Sequence, residues 1–152
     1  MTAVGVISDT HGLLRPEAIA ALEGVQRIVH AGDIGGAEIL AALSRIAPVT
    51  AVRGNNDREA WARKIEERAV LDIEGHRLLV LHDLEELEVD PARAGYAVVI
   101  AGHSHQPRIE RRDGVLFLNP GSAGPRRFKL PISLAILSVS AQTLDAELRT
   151  LA

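Results

Sequence analysis

Ala97-Val98-Val99-Ile100-Ala101-Gly102-His103-Ser104-His105 is the stretch on which the reading of this chain turns. Residues 97–100 form a short apolar run with β-branched side chains, the pattern of a buried strand. The run delivers two imidazoles at a strand's carboxyl end, where open α/β sheets place their sites. In extended backbone, residues i and i+2 face the same side. This predicts that His103 and His105 converge on one small region, with Gly102 letting the chain turn without a Cβ clash. Taken alone, a His-x-His pair is more often a solvated or hydrogen-bonded surface feature than a metal site, so the remaining sequence has to decide.

The 152 residues are 47% hydrophobic, enough for a real core and suited to one domain over residues 1–152. A net charge of −3 and an aromatic content of 3% supply neither the basic field nor the stacking platforms of nucleic-acid binding. The chain has no cysteine, which excludes disulfides and thiolate metal sites and leaves oxygen and imidazole to hold any ion. No apolar run is long enough to span a bilayer, and Met1-Thr2-Ala3 leads into a strand without a secretory signal pattern. The expected class is a cytoplasmic enzyme or binding protein with no membrane or nucleic-acid duplex as partner, homo-oligomer formation being left open.

Nearer the N-terminus, Val4–Ile7 reads as a strand running into Ser8-Asp9-Thr10-His11-Gly12, where Asp9 and His11 repeat the i, i+2 spacing. Pro16 opens a helix reaching Leu22. Arg27–His30 is a second strand ending at Ala31-Gly32-Asp33, and Ala37–Ala47 carries Ile39, Leu40, Leu43 and Ile46 at helical spacing. After Pro48, Val49–Val52 leads into Arg53-Gly54-Asn55-Asn56-Asp57. This βαβαβ opening predicts a parallel sheet. A short helix is expected over 61–65, and then the period changes to two. Residues 69–73 and 78–81 form a hairpin around Glu74-Gly75-His76, ending at His82-Asp83, and residues 84–94 read as loop plus a short helix. A second hairpin, 107–112 with 115–118, turns on Asp113-Gly114. Beyond the rigid loop Asn119–Pro125, residues 132–139 are apolar on both faces like a central strand, whereas 144–148 have one wet face. Two facing sheets with helices outside satisfy these patterns.

Five strand ends thus present Asp9 with His11, Asp33, Asn55, His82, and His103 with His105. A sheet gathers such ends along one rim, so a metal centre is expected there. In order, Asp9-x-His11, Gly32-Asp33, Gly54-Asn55-Asn56-Asp57, His82 and Gly102-His103-Ser104-His105 resemble the motifs of the calcineurin-like metallophosphoesterases. The short length and the Asn119-Pro120-Gly121-Ser122 loop look most like its small phosphodiesterase branch, which includes YfcE. The resemblance covers nearly the whole chain.

It implies a four-layer α/β/β/α sandwich of two mixed sheets and two divalent metal ions. Asp9, His11, Asp33 and His105 would hold one ion, and Asn55, His82, His103 and the shared Asp33 the other, with Asp33, Asn55 and His103 also counted as catalytic. Imidazole with carboxylate and amide oxygen suits borderline divalent ions; manganese is the first expectation, with iron, nickel, cobalt or zinc also compatible. Two dications against two carboxylates and a bridging hydroxide leave a net positive pocket, for which a small phosphate ester is the natural substrate. Paired ions would acidify the attacking water and offset charge on the phosphoryl oxygens.

Two departures from the family pattern stand out. Where many relatives have a histidine that protonates the leaving group, this chain has Asn56, a poor proton donor; the expectation is a preference for aryl esters. Where small relatives often have glycine after the mid-chain histidine, this chain has Asp83, read either as a partner of His82 or as a loop residue. His30 is expected to be a satisfied core histidine, His76 a solvent-exposed turn residue, and Arg126 and Arg127 either substrate contacts or surface arginines. The alternatives to a phosphodiesterase are a phosphomonoesterase or nucleotidase, and a non-catalytic protein-binding scaffold, since the resemblance extends to a retromer subunit.

Overall fold

Strands that are apolar on both sides have to lie inside a sheet, and two such strands organise this molecule. In the computed structural model, which describes Met1–Ala152, β1 (Thr2–Ile7) is the middle strand of one five-stranded sheet and β6 (Val98–Ile100) the middle strand of the other. The remaining strands are β2 (Arg27–His30), β3 (Val49–Ala51), β4 (Arg68–Ile73), β5 (His76–Leu81), β7 (Arg108–Arg112), β8 (Val115–Asn119), β9 (Ser133–Val139) and β10 (Leu144–Thr150). The sheet orders are β10-β9-β1-β2-β3 and β4-β5-β6-β8-β7. In the first, β1, β2 and β3 run parallel, β9 runs antiparallel to β1, and β10 runs antiparallel to β9. In the second, β5, β6 and β8 are parallel, with β4 and β7 as antiparallel edges. Each sheet is therefore mixed, and each brings its parallel strands to their carboxyl ends together.

Three apolar layers separate four structural ones. Val4, Val6, Leu78, Ile100 and Leu116 belong to the layer between the sheets. Helices α1 (Pro16–Ala21) and α2 (Ala37–Ser44) cover the first sheet with Ala18, Leu22, Ile39 and Leu43. On the second sheet the cover is thin: the 3-10 turn Leu84–Glu86 and its successors rest Leu84, Leu87 and Tyr96 on Leu79, Val99 and Phe117. The expected two-sheet sandwich is thus present, with a turn and loop serving as its fourth layer. No helix is long and apolar enough to cross a membrane.

Local differences from the sequence expectations have simple causes. The segment around Trp61 is a single 3-10 turn, Ala60–Ala62, and not the expected helix over 61–65; residues 52–59 and 63–67 on either side are loop. His76 is not in the turn but opposite Ile73 in the β4–β5 ladder, half-buried, with Nε2 2.9 Å from the Ser140 carbonyl; the two-residue Glu74-Gly75 loop suffices to reverse the chain. Truncating Leu116, fully buried between the sheets, is expected to lower unfolding stability by about 2–5 kcal/mol. Val70→Ala, on an exposed face of β4, should change it by less than about 1 kcal/mol; urea titration of both variants checks this.

Candidate metal centre

The rim of the two sheets holds its side chains through an unusual backbone. Asp9 (φ 55°), His11 (46°), Asp33 (55°), His103 (70°) and His105 (63°) all lie in the left-handed region, five of the eight non-glycine residues that do so. Aspartate and histidine tolerate this conformation better than most, yet it stores strain of order 1–3 kcal/mol per residue and concentrates at functional sites. Ladder-like bonds between loops hold it: Asp9 N–H to the Gly32 carbonyl (3.0 Å), His11 N–H to Asp33 (2.9 Å) and Gly102 N–H to His82 (2.9 Å). His103 and His105 do line one cavity, but this corrects the extended backbone expected to bring them there. Neither residue is extended, and the two imidazoles go to different clusters.

One cluster is Asp9, His11 and His105; the other is Asp33, His82 and His103, with the donor atoms of each within 4.8 Å of one another. Asp33 joins the two, its Oδ2 lying 3.2 Å from His82 Nε2 and 3.7 Å from His11 Nε2. The His11 and His105 rings stack at 5.4 Å, while His82 meets His103 edge-on at 5.1 Å. Asn55 borders the same region: with His11, Asp33, His103 and His105 it lines a cavity of about 320 Å³, exposed and without a side-chain hydrogen bond. Six of the seven residues singled out from the sequence therefore meet in two contiguous groups, and the seventh stands on the wall beside them.

The arrangement fits divalent ions on its own chemistry. Asp9 is fully buried; its Oδ2 accepts hydrogen bonds from Ser8 Oγ (2.7 Å) and His103 N–H (3.1 Å), but Oδ1 has no partner. Around that bare oxygen stand the Nε2 atoms of His105 (3.4 Å), His11 (3.8 Å) and His82 (3.9 Å). Ligand atoms around an ion bound at about 2.0–2.2 Å stand roughly 3.0–3.4 Å apart, so these spacings suit a shared cation. Burial alone would raise the Asp9 carboxyl, but contacts from His105 and Ser8 and the His82 and His105 charges hold it below its usual value. Burial likewise opposes ionisation of Asp33, and the His82 contact with the Asn56 N–H outweighs it, bringing Asp33 to about 2. For His82, burial is outweighed by Asp33 and Asp9, lifting the imidazole to about 8. Its Nδ1 donates to the Ala31 carbonyl at 2.7 Å, which leaves Nε2 as the nitrogen able to coordinate an ion once its proton is displaced.

Several residues named in the sequence brace the candidate ligands in ways that residue order alone does not give. Asp57 is buried and accepts the N–H groups of Ile34, Gly35 and Gly54 at 2.9–3.1 Å, locking the Asp33 and Asn55 loops together. His30 accepts the Gly32 N–H on Nδ1, so its Nε2–H donates to Thr10 Oγ1, which donates to the Ile34 carbonyl; the expected core histidine is a fixed cross-tie. Asn56 donates its backbone and side-chain N–H groups to the two Asp33 oxygens, at 2.9 and 3.3 Å. Asp83 faces His103 Nε2 at 3.8 Å and not His82, because it also caps the turn at Glu85. Gly102 is needed for space: a Cβ there would run into Ser8 and Asp9.

The description of a calcineurin-like phosphoesterase superfamily domain matches residues 2–142. The chain belongs to that superfamily. A probable metallophosphoesterase of Methanothermobacter thermautotrophicus is 37% identical over 157 aligned residues, covering 95% of this chain and 90% of that protein. Among solved structures, an archaeal phosphodiesterase superposes with a TM-score of 0.81 at 26% identity, over 97% of this chain and 100% of the other. Wild-type Vps29 of Entamoeba histolytica, solved with Zn²⁺, shares the fold at a TM-score of 0.77 and 22% identity, over 99% and 100% of the two chains.

Two histidines give this superfamily member a pH signature when chelator keeps it metal-free. Burial, reinforced by the His82 charge, outweighs Asp9, Asp57 and Asp33 and pushes His30 down to about 4 from 6.5. Between these values only the unfolded chain protonates His30, so stability rises with pH. Between 6.5 and about 8 only the fold keeps the His82 proton, so stability falls as pH rises. Urea midpoints measured with chelator between about pH 4.5 and 9 should peak near the unperturbed histidine value; a flat profile would contradict these assignments.

Proposed function

We propose that this chain is a metal-dependent phosphodiesterase with a two-ion centre acting on a small phosphate ester, with Mn²⁺ the first ion to supply. The observation that carries the reading is the bare, buried Asp9 Oδ1 ringed by three imidazole nitrogens, with Asp33 linking the second cluster. The archaeal phosphodiesterase that shares the fold supports it. When bound, paired divalent ions supply Lewis-acid polarisation and a lowered pKa for water.

The chain's own groups do the rest. Asp9 and Asp33 stay ionised, His82 presents Nε2 because Ala31 holds Nδ1, and Asn56 keeps the Asp33 carboxylate from rotating. Asp33, Asn55 and His103 all line the 320 Å³ cavity and take the catalytic positions. Opposite them, Arg126 and Arg127 line the same cavity, and their guanidinium charges offset a phosphate's negative charge. Asn56 has no proton of suitable acidity to give a departing alkoxide, so aryl esters, whose leaving groups depart unassisted, are the favoured substrates. The fold shared with Vps29 supports a protein-binding scaffold as the second reading, and phosphate-ester turnover separates the two.

Hydrolysis of bis(p-nitrophenyl) phosphate and p-nitrophenyl phosphate, with each candidate ion in turn, tests the proposal. The diester should turn over faster, chelator should abolish it, and Asp33→Asn should lower kcat by at least about 100-fold, since even outer partners of metal ligands contribute about 10–100-fold. No diester turnover with any ion would overturn the reading. Asn56→His should speed alkyl esters more than aryl ones; equal effects would count against the missing-acid argument.

A further inference from the structure

A second hollow, of about 560 Å³, adjoins the metal centre, and His103 is the residue that lines both it and the smaller cavity. It exists because the outer face of the second sheet lacks a helix. The turn at Leu84–Glu86 packs on Val99 and Phe117 and stops short of the rim, so only the uncovered edges of Val99, Ala101 and Phe117, each less than a tenth exposed, form a floor. An apolar floor of this size, beside a polar site, is the usual form of a pocket for the non-reacting part of a small molecule.

The walls say which kind of group fits. Asp83 and Glu85 stand on one side, and the only lining cation, Arg108, is already paired with Glu110. A second phosphate or a carboxylate is therefore disfavoured. Ser104 Oγ accepts from Asn119 Nδ2 (3.1 Å) and Gln106 N–H (3.2 Å) but donates its own proton to no protein group, and the Gln106 amide is likewise unpaired. These two side chains can read the polar edge of a flat ligand. We propose that the hollow over Val99, Ala101 and Phe117 receives an uncharged aromatic group of the ester whose phosphate occupies the neighbouring cavity. This rests on the phosphoesterase reading above.

Calorimetric titration of the Mn²⁺-loaded protein with phenylphosphonate and methylphosphonate tests it without requiring turnover. The phenyl compound should bind about tenfold more tightly, the scale expected for partial burial of one ring. Gln106→Trp, an exposed position that fills the hollow, should bring phenylphosphonate down to the level of methylphosphonate at equal metal content and thermal stability. Equal affinities in the wild type, or a phenyl preference that survives Gln106→Trp, would overturn the proposal. Adenosine 5′-phosphate binding at least as tightly as phenylphosphonate would identify the aromatic group as a nucleobase, and weaker binding as a simple aryl group. Hydrolysis of bis(p-nitrophenyl) phosphate by the same preparation separates the two readings: turnover without a phenyl preference fails only the hollow, and a phenyl preference without turnover fails only the esterase.

Discussion

A carboxylate held wholly out of water with one oxygen bare is the constraint from which the rest of this structure follows. Burying an ionised group without compensation is among the most expensive things a fold can do. Asp9 cannot relieve it by moving. It leaves the middle strand of its sheet, its Oδ2 is fixed by Ser8 and by the His103 N–H, and its carbonyl receives Ser122 Oγ. Three imidazoles surround the bare oxygen without hydrogen-bonding to it. A bound cation would answer all of these demands at once, and its charge would suit the phosphate ester proposed as substrate.

The same constraint explains the strained backbone. Left-handed residues would relax if their loops were free, but each loop is stitched to its neighbour: Asp57 gathers the Asp33 and Asn55 loops, and the Thr10–His30 cross-tie joins the loops after β1 and β2. The apolar layer between the sheets supplies the rigidity against which those bonds hold. Gly54, where a Cβ would collide with Asp33, and Gly102, where it would meet Ser8 and Asp9, let the loops approach that closely.

Much of this was legible from residue order. Apolar runs marked the strands, and the acids and histidines following them marked the rim, because strand period and burial act over a few residues. His103 and His105 meet at one cavity as expected, but not through extended backbone, because side-chain direction in a loop is set by φ, which distant partners impose. The bracing role of Asp57 and the pairing of Asp83 with His103 were invisible for the same reason: both depend on segments remote in sequence. The thin fourth layer was hidden too, since residues 84–94 have a composition compatible with either helix or loop.

Metal content is the most direct measure of the central claim. Protein stripped with chelator, reloaded with Mn²⁺ and desalted should carry two ions per chain, one for each of the two linked three-residue clusters that could hold an ion, and Asp9→Asn should carry fewer. A wild-type protein that retains no divalent ion, or an Asp9→Asn variant that loads as fully as the wild type, would contradict it.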